Sequence, residues 1–273
     1  MSKLLVKPNA KPLFEGVTLI HDIQKENSSL SYVAFRMIDI KQGAVYHEEV
    51  TGKEVCVVAL TGKITVRTNS DVFQEIGTRE SVFEKVPTDS VYAGNGERIE
   101  IVGVSDVARV ALCYAPTEKS LPTRLIPASE NTVEDRGKYQ NKRHVHNILP
   151  DDSPIADSVL VVEVYTEGGN FSSYPPHKHD QDNLPNESFL EESYYHEMNP
   201  SQGFVFQRVY TDDRSIDETM AVLNRDVVLV PAGYHPVGVP DGYTSYYLNV
   251  MAGPTRIWKF HNDPAHAWIL DRE

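Results

Sequence analysis

Polar and apolar positions alternate with period two over most of the chain, in segments 31–40, 54–60, 63–68, 98–104, 107–114, 159–165, 203–210 and 244–251. An extended backbone turns successive side chains to opposite faces. The alternating positions here are filled with β-branched and aromatic residues, so these segments are predicted as strands. Clusters of Gly, Pro, Asp and Asn separate them, as in Thr61-Gly62-Lys63, Gly94-Asn95-Gly96, Glu167-Gly168-Gly169-Asn170 and Pro240-Asp241-Gly242, which predicts tight turns. The best helical candidate is the short segment 263–270. No Gly-rich phosphate loop follows a strand in a βαβ setting. The expected class is all-β, built as sandwiches or barrels.

The alternation fails between residues 116 and 157, where charges and prolines accumulate. Leu121, Leu125, Ile126, Val133 and Ile148 would lie exposed on a free linker, so this stretch is read as a connector packing across two halves. The expected organisation is therefore an N-terminal unit 1–115, a connector 116–157 and a C-terminal unit 158–273. The halves resemble each other faintly. Segment 80–92 parallels 225–235 as a polar start, an alternating strand, a proline and a turn, which suggests two copies of one β unit. A length of 273 residues fits two small domains.

Lys plus Arg number 26 against 39 Asp plus Glu, a formal net charge of -13. Partners that demand a basic surface, nucleic acid and anionic membrane, recede. The apolar runs are far shorter than the ~20 residues of a membrane span, and the N-terminus lacks the features of a secretory signal. A soluble cytoplasmic protein is expected. Cys56 and Cys113 lie in strand-like apolar runs and read as buried reduced thiols.

The most specific signal is the placement of histidines in the second half. In Pro175-Pro176-His177-Lys178-His179 the imidazoles stand two residues apart, so on an extended segment they point to the same side. Lys178 between them should point away. The run 192–196 places Glu192, Tyr194 and His196 on one face and Glu191 and Tyr195 on the other. The phase of that strand decides between Glu192 and Glu191 as the nearby carboxylate. Val230-Pro231-Ala232-Gly233-Tyr234-His235 sets a further histidine just after a tight turn. Three neutral imidazoles and one carboxylate suit Zn, Mn, Fe, Co or Ni. His144-Val145-His146, with no comparable carboxylate strand downstream, is read as a polar loop. Tyr194, Tyr195, Tyr246 and Tyr247 are read as wall or core aromatics.

These residues resemble the cupins, whose first motif carries His-x-His with a downstream Glu and whose second supplies a His after a Pro-x-Gly turn. Segments 172–179, 203–213, 228–238 and 246–254 bring the likeness closer, to the 5-deoxy-glucuronate isomerase family of bicupins in myo-inositol catabolism. The likeness spans essentially the whole chain. It implies a bicupin of two jelly-roll-like barrels. It also implies conversion of 5-deoxy-D-glucuronate to 5-dehydro-2-deoxy-D-gluconate, and a divalent metal, Zn or Mn first, on His177, His179, Glu192 and His235. The gap from His179 to Glu192 is longer than the usual cupin spacing, so a loop must bulge there. In the first half Tyr92 stands where His235 stands in the second, so the N-terminal barrel is expected to be metal-free.

Such an isomerisation removes a proton from a hydroxyl-bearing carbon, holds an enediolate and returns a proton. His196 and Tyr194 are the first candidates for proton transfer. A uronate carboxylate calls for Arg, with Arg208 ranked first, Arg143 next and Tyr247 as a wall of the same site. The partner expected is a small-molecule uronate, with a homo-oligomer plausible. The rival readings are the related ketouronate isomerase of pectin breakdown, an Fe dioxygenase and a non-enzymatic sugar-binding cupin.

Overall fold

The computed structural model describes residues 2–272. The eight alternating segments 31–40, 54–60, 63–68, 98–104, 107–114, 159–165, 203–210 and 244–251 are all strands, with ends shifted by a few residues. The chain is all-β and forms two compact units that interleave in sequence. One comprises Pro8–Thr132 and Asn147–Val161; the other takes the first residues through Lys7, Val133–His146 and the chain from Val162 onward.

Each unit carries a seven-stranded and a four-stranded sheet, the duplicated, bicupin-type arrangement expected from the sequence. In the first unit the large sheet has Lys53–Thr61, Val107–Pro116 and Ala34–Lys41 at its centre. Val55, Val57, Ala59, Val110 and Leu112 point from it into a core closed by Ile64, Val66, Ile99 and Ile101 of the small sheet. The alternate residues Glu54, Cys56 and Cys113 are also fully buried, on the opposite face. Both faces of these strands are therefore covered, and nearly continuous burial replaces the half-buried pattern of an edge.

The other large sheet, most of whose residues belong to the second unit, runs in the order Leu5–Val6, Val227–Val230, Glu191–Asn199, Thr244–Ala252, Leu160–Glu167, Arg143–Leu149, Thr132–Arg136. The small sheet contains Phe171–Ser172, Val237–Gly238, Phe204–Tyr210 and Asp217–Leu223.

Four expectations change. Segment 263–270 forms no α-helix; only a 3-10 turn, Ala267–Asp271, is present. Pro264 and the Asp263 side chain, which accepts from the Ala265 N–H, set a turn ahead of it. Segment 80–86, expected to be a strand, holds the 3-10 turn Val82–Glu84, because Ser81 and Glu84 form a reciprocal capping box. His144-Val145-His146 lies on the strand Arg143–Leu149 rather than in a loop, with His146 fully buried. Within 116–157 the structure has three strands, and of the apolar residues there Ile126 and Ile148 are buried while Val133 is 48% exposed.

Candidate metal centre and substrate cavity

Glu191–Asn199 is flanked by Val227–Val230 and Thr244–Ala252, with Glu192 opposite Val230 and Met251. This register fixes the phase that the sequence left open, and Glu192, not Glu191, meets the histidines. Tyr194 and His196 share its face, their rings stacked with centroids 6.0 Å apart.

The long spacing between His179 and Glu192 is taken up by a hairpin, Asp180–Asn183 against Glu187–Phe189. Lys178 turns away from the histidines into this hairpin, with its Nζ 2.5 Å from Asp180 and 3.0 Å from Glu187. The other Asp180 oxygen accepts the Gly233 N–H at 2.9 Å, which ties the His177/His179 segment to the turn that carries His235. Gly233 has φ +96°, and a Cβ there would fall 2.5 Å from the Tyr210 carbonyl oxygen, so the turn requires glycine.

One ligand atom each from His179, Glu192 and His235 lie within 4.8 Å of one another, all buried. His179 Nε2 is 3.1 Å and His235 Nε2 3.3 Å from the same Glu192 oxygen. Their Nδ1 atoms are engaged with backbone carbonyls, His179 with Leu190 at 2.8 Å and His235 with Gly233 at 2.9 Å. A ring that donates from Nδ1 presents Nε2 as a lone pair, the arrangement metal-binding imidazoles take. His235 Nε2 is a buried atom without a hydrogen bond. Asn249 Nδ2 donates to the remaining Glu192 oxygen. Two oriented imidazoles, one with an orphaned nitrogen, and a carboxylate fit a divalent cation. His177 stands beside this group without joining it, its ring centroid 5.0 Å from that of His235 and 6.4 Å from that of His179.

Burial opposes charge on every member. It holds the His177 pKa well below the ordinary value, aided by the neighbouring His235 and His179, and it lowers that of His235 despite Glu192. For His179, burial is outweighed by the hydrogen bond to Glu192, and the net shift is upward. For Glu192 the same hydrogen bond outweighs burial and holds the carboxyl below its usual range.

Above the cluster lies a cavity of about 290 Å³, walled by Arg136, Arg143, Tyr194, Tyr247, Asn249 and Phe260 among others. His177 reaches it as well. Of the residues singled out from the sequence, Tyr194, Tyr247 and Arg143 thus come together here. His196 is fully buried and does not line the cavity; its Nε2 meets Gln207 Oε1 at 3.0 Å, and burial pushes its pKa down to about 4.

Arg208 is not brought to the cavity. It points outward from Phe204–Tyr210, forms paired 2.8 Å hydrogen bonds with Asp217 and lies 4.3 Å over the Tyr210 ring. Its inward neighbours are Val205, Gln207 and Val209. Arg143 has one hydrogen bond, to the Asn141 carbonyl at 3.1 Å, and no carboxylate partner among the described residues. Sequence reasoning missed Asn249 and Arg136. Asn249 was within reach, two residues from Tyr247 on one strand face, whereas nothing in the connector marked Arg136.

A family model described as the KduI/IolB family matches residues 4–269. The chain belongs to the KduI/IolB family. Its KduI/IolB relatives include proteins named 5-deoxy-glucuronate isomerase from Bacillus licheniformis, 67% identical over 272 residues, and from Listeria monocytogenes serotype 4a, 66% identical over 273 residues. Each alignment spans 100% of both chains. The crystal structure of an IolB-like protein from Salmonella typhimurium LT2 superposes with a TM-score of 0.93 at 47% identity, covering 98% of this chain and 99% of that one. Oxalate decarboxylase from Lactobacillus farciminis, at 13% identity and TM-score 0.67 over 100% of this chain and 91% of its own, shares the fold. No helix among the described residues is long and apolar enough to cross a membrane.

Proposed function

We propose that this KduI/IolB member is an aldose–ketose isomerase converting 5-deoxy-D-glucuronate to 5-dehydro-2-deoxy-D-gluconate in myo-inositol degradation. We also propose that it works with a divalent cation, Zn or Mn, held by His179, Glu192 and His235 and completed by the adjacent His177. The convergence of His179, Glu192 and His235 beneath an arginine-bearing cavity carries this reading. It occurs in a chain 67% identical, end to end, to proteins of that name. A bound divalent cation would supply Lewis-acid stabilisation of the negative charge that develops on substrate oxygen during proton abstraction.

The protein's own groups hold the substrate and donate to the oxygen that gains charge. Arg143, with most of its guanidinium N–H groups uncommitted, binds the substrate carboxylate at the far side of the cavity. Tyr194 is fully buried, and burial next to Glu192 drives its pKa well up, so its hydroxyl stays protonated and acts as a donor. That hydroxyl sits 3.1 Å from Ser173 Oγ, which fixes its direction, and it supplies a proton to the substrate oxygen that gains charge. His196 stands behind Tyr194 as a neutral packing and positioning group rather than meeting substrate. Asn249 holds Glu192, and its own Oδ1, buried and without a hydrogen bond, is available to accept from a substrate hydroxyl.

The deciding experiment strips the purified protein of metal, restores Zn or Mn, and follows ketose formation from 5-deoxy-glucuronate beside the pectin-derived ketouronate. The expected result is metal-dependent conversion of the former. Absence of conversion, preference for the ketouronate, or turnover linked to oxygen uptake would overturn the assignment.

A further inference from the structure

A second cavity of about 410 Å³ adjoins the first, and the two share Arg143, His177 and Phe260 in their walls. It is formed by the Gly137–Arg143 stretch, Tyr174-Pro175, and the C-terminal turn with Ile269, Leu270 and Arg272. Its charged lining is of one sign. Lys138, Arg143 and Arg272 are present, and no Asp or Glu is found among its described lining residues. None of these three cations has a carboxylate partner among the described residues. Arg272 is held by the Ile269 carbonyl at 3.2 Å and by the Tyr139 ring at 5.2 Å, so its charge is fixed facing the chamber instead of being neutralised. The inner cavity adds Arg136, which is paired with Glu134 and so contributes less to the field than the other three.

This arrangement runs against the rest of the molecule, whose net charge is -13. An anion approaching such a protein is repelled at long range. Within a concave, low-dielectric wall, however, unpaired cations dominate the local potential and concentrate anions. At about 0.1 M salt charges act over about 10 Å, the scale of a single chamber, so local charges and not the net charge govern capture.

We propose that the outer cavity is an anion-capture vestibule. Lys138 and Arg272 draw a sugar-acid anion from solvent, and Arg143, shared by both chambers, passes it to the inner cavity. The sugar-acid identity of the anion rests on the isomerase reading above; the vestibule itself rests on the charge and geometry of its lining.

The test uses the full chain in a Trp268→Phe background, which leaves Trp258, on the wall of the inner cavity, as the only tryptophan. Its fluorescence is quenched with iodide, an anion, and with acrylamide, a neutral probe, at low and high salt. In the Lys138→Gln/Arg272→Gln variant the iodide quenching constant should fall roughly threefold at low salt, with acrylamide unchanged and the difference erased by salt. On 5-deoxy-glucuronate the same variant should lose roughly fivefold in kcat/KM at low salt while keeping kcat. Unchanged iodide quenching overturns the vestibule, even if the wild type isomerises the uronate. A wild type inactive on the uronate but with charge-dependent iodide quenching overturns the isomerase reading and leaves the vestibule standing.

Discussion

Each of the two units places a carboxylate among buried polar side chains, and the partners of the two carboxylates differ in kind. Glu48, in the unit built on Pro8–Thr132, accepts from the Tyr46 hydroxyl at 2.5 Å, the Tyr114 hydroxyl at 2.6 Å and Arg36 at 3.2 Å through one oxygen, and from Lys53 at 2.6 Å through the other. Both oxygens face donors, and two cations stand against it. Burial alone would raise the Glu48 pKa, but the hydrogen bonds from Lys53, Tyr114 and Tyr46 outweigh it, and the carboxyl is held below its usual range. Glu192 has one amide donor, Asn249, and two imidazoles turned toward it by their backbone hydrogen bonds. The first carboxylate is satisfied by the protein's own charges and serves as a lock. The second, with two oriented imidazoles poised around it, is arranged for a cation from outside.

The largest effect that could break this comparison is at Glu192. Glu192→Gln keeps the shape and removes the charge; it should abolish stoichiometric metal content and lower kcat by roughly 10³-fold, read by elemental analysis and ketose formation. Full metal occupancy in this variant would erase the distinction between the units. Glu48→Gln should do the reverse. Metal content and kcat stay within about twofold, while urea unfolding shows a loss of about 2 kcal/mol, because Lys53 loses its carboxylate and Tyr46 and Tyr114 their charged acceptor, whereas Arg36 keeps Asp22.

Acid stability separates the units by pH window. The folded His196 pKa of about 4 lies below the ordinary 6.5, so between those values the unfolded chain takes up a proton that the folded one refuses. Stability therefore falls as pH drops from 6.5 toward 4, by up to about 3 kcal/mol at roughly 1.4 kcal/mol per pH unit. Glu48, with a lowered pKa, contributes stability that is present above the unfolded carboxyl value and lost only as pH falls through its folded one. In urea titrations at pH 7 and 5, His196→Asn should reduce the slope of the upper window while the lowered His177 and His235 keep the remainder, and Glu48→Gln should leave it alone.

The smallest contrast is between two arginines. Arg143→Gln should raise KM for the uronate roughly 30-fold, the equivalent of one charge-assisted pair at about 2 kcal/mol. Arg208→Gln, which removes an exposed pair with Asp217, should change KM less than about twofold and stability by less than about 1 kcal/mol. Equal effects of the two would return Arg208 to the site.

The strands were legible because buried β-structure leaves a two-residue imprint, and candidate ligands were legible because His-x-His and the turn before His235 impose local geometry by themselves; of these the structure brings His179, Glu192 and His235 together and leaves His177 beside them. The error at Arg208 has a traceable cause. In Phe204–Tyr210 both phases carry apolar residues, Phe204 and Phe206 on one side and Val205 and Val209 on the other, so alternation does not say which faces inward. The two phases fare differently in the structure, with Phe206 52% exposed and Val205 and Val209 fully buried. The same holds for 80–86, where local capping by Ser81 and Glu84 prevails over an alternating pattern.

Sequence by itself determined the all-β class and pointed to candidate ligands for a metal, since each of these rests on short-range periodicity or on turn geometry. Tertiary structure alone decided between Glu191 and Glu192, and between Arg208 and Arg143. Strand phase is a two-state choice set by register with neighbours distant in the chain, here Val227–Val230 and Thr244–Ala252. The balance of charge was likewise a tertiary matter. A net of -13 is a sum over the whole sequence, whereas the sign an incoming anion meets is set by the few side chains that folding brings to one cavity wall.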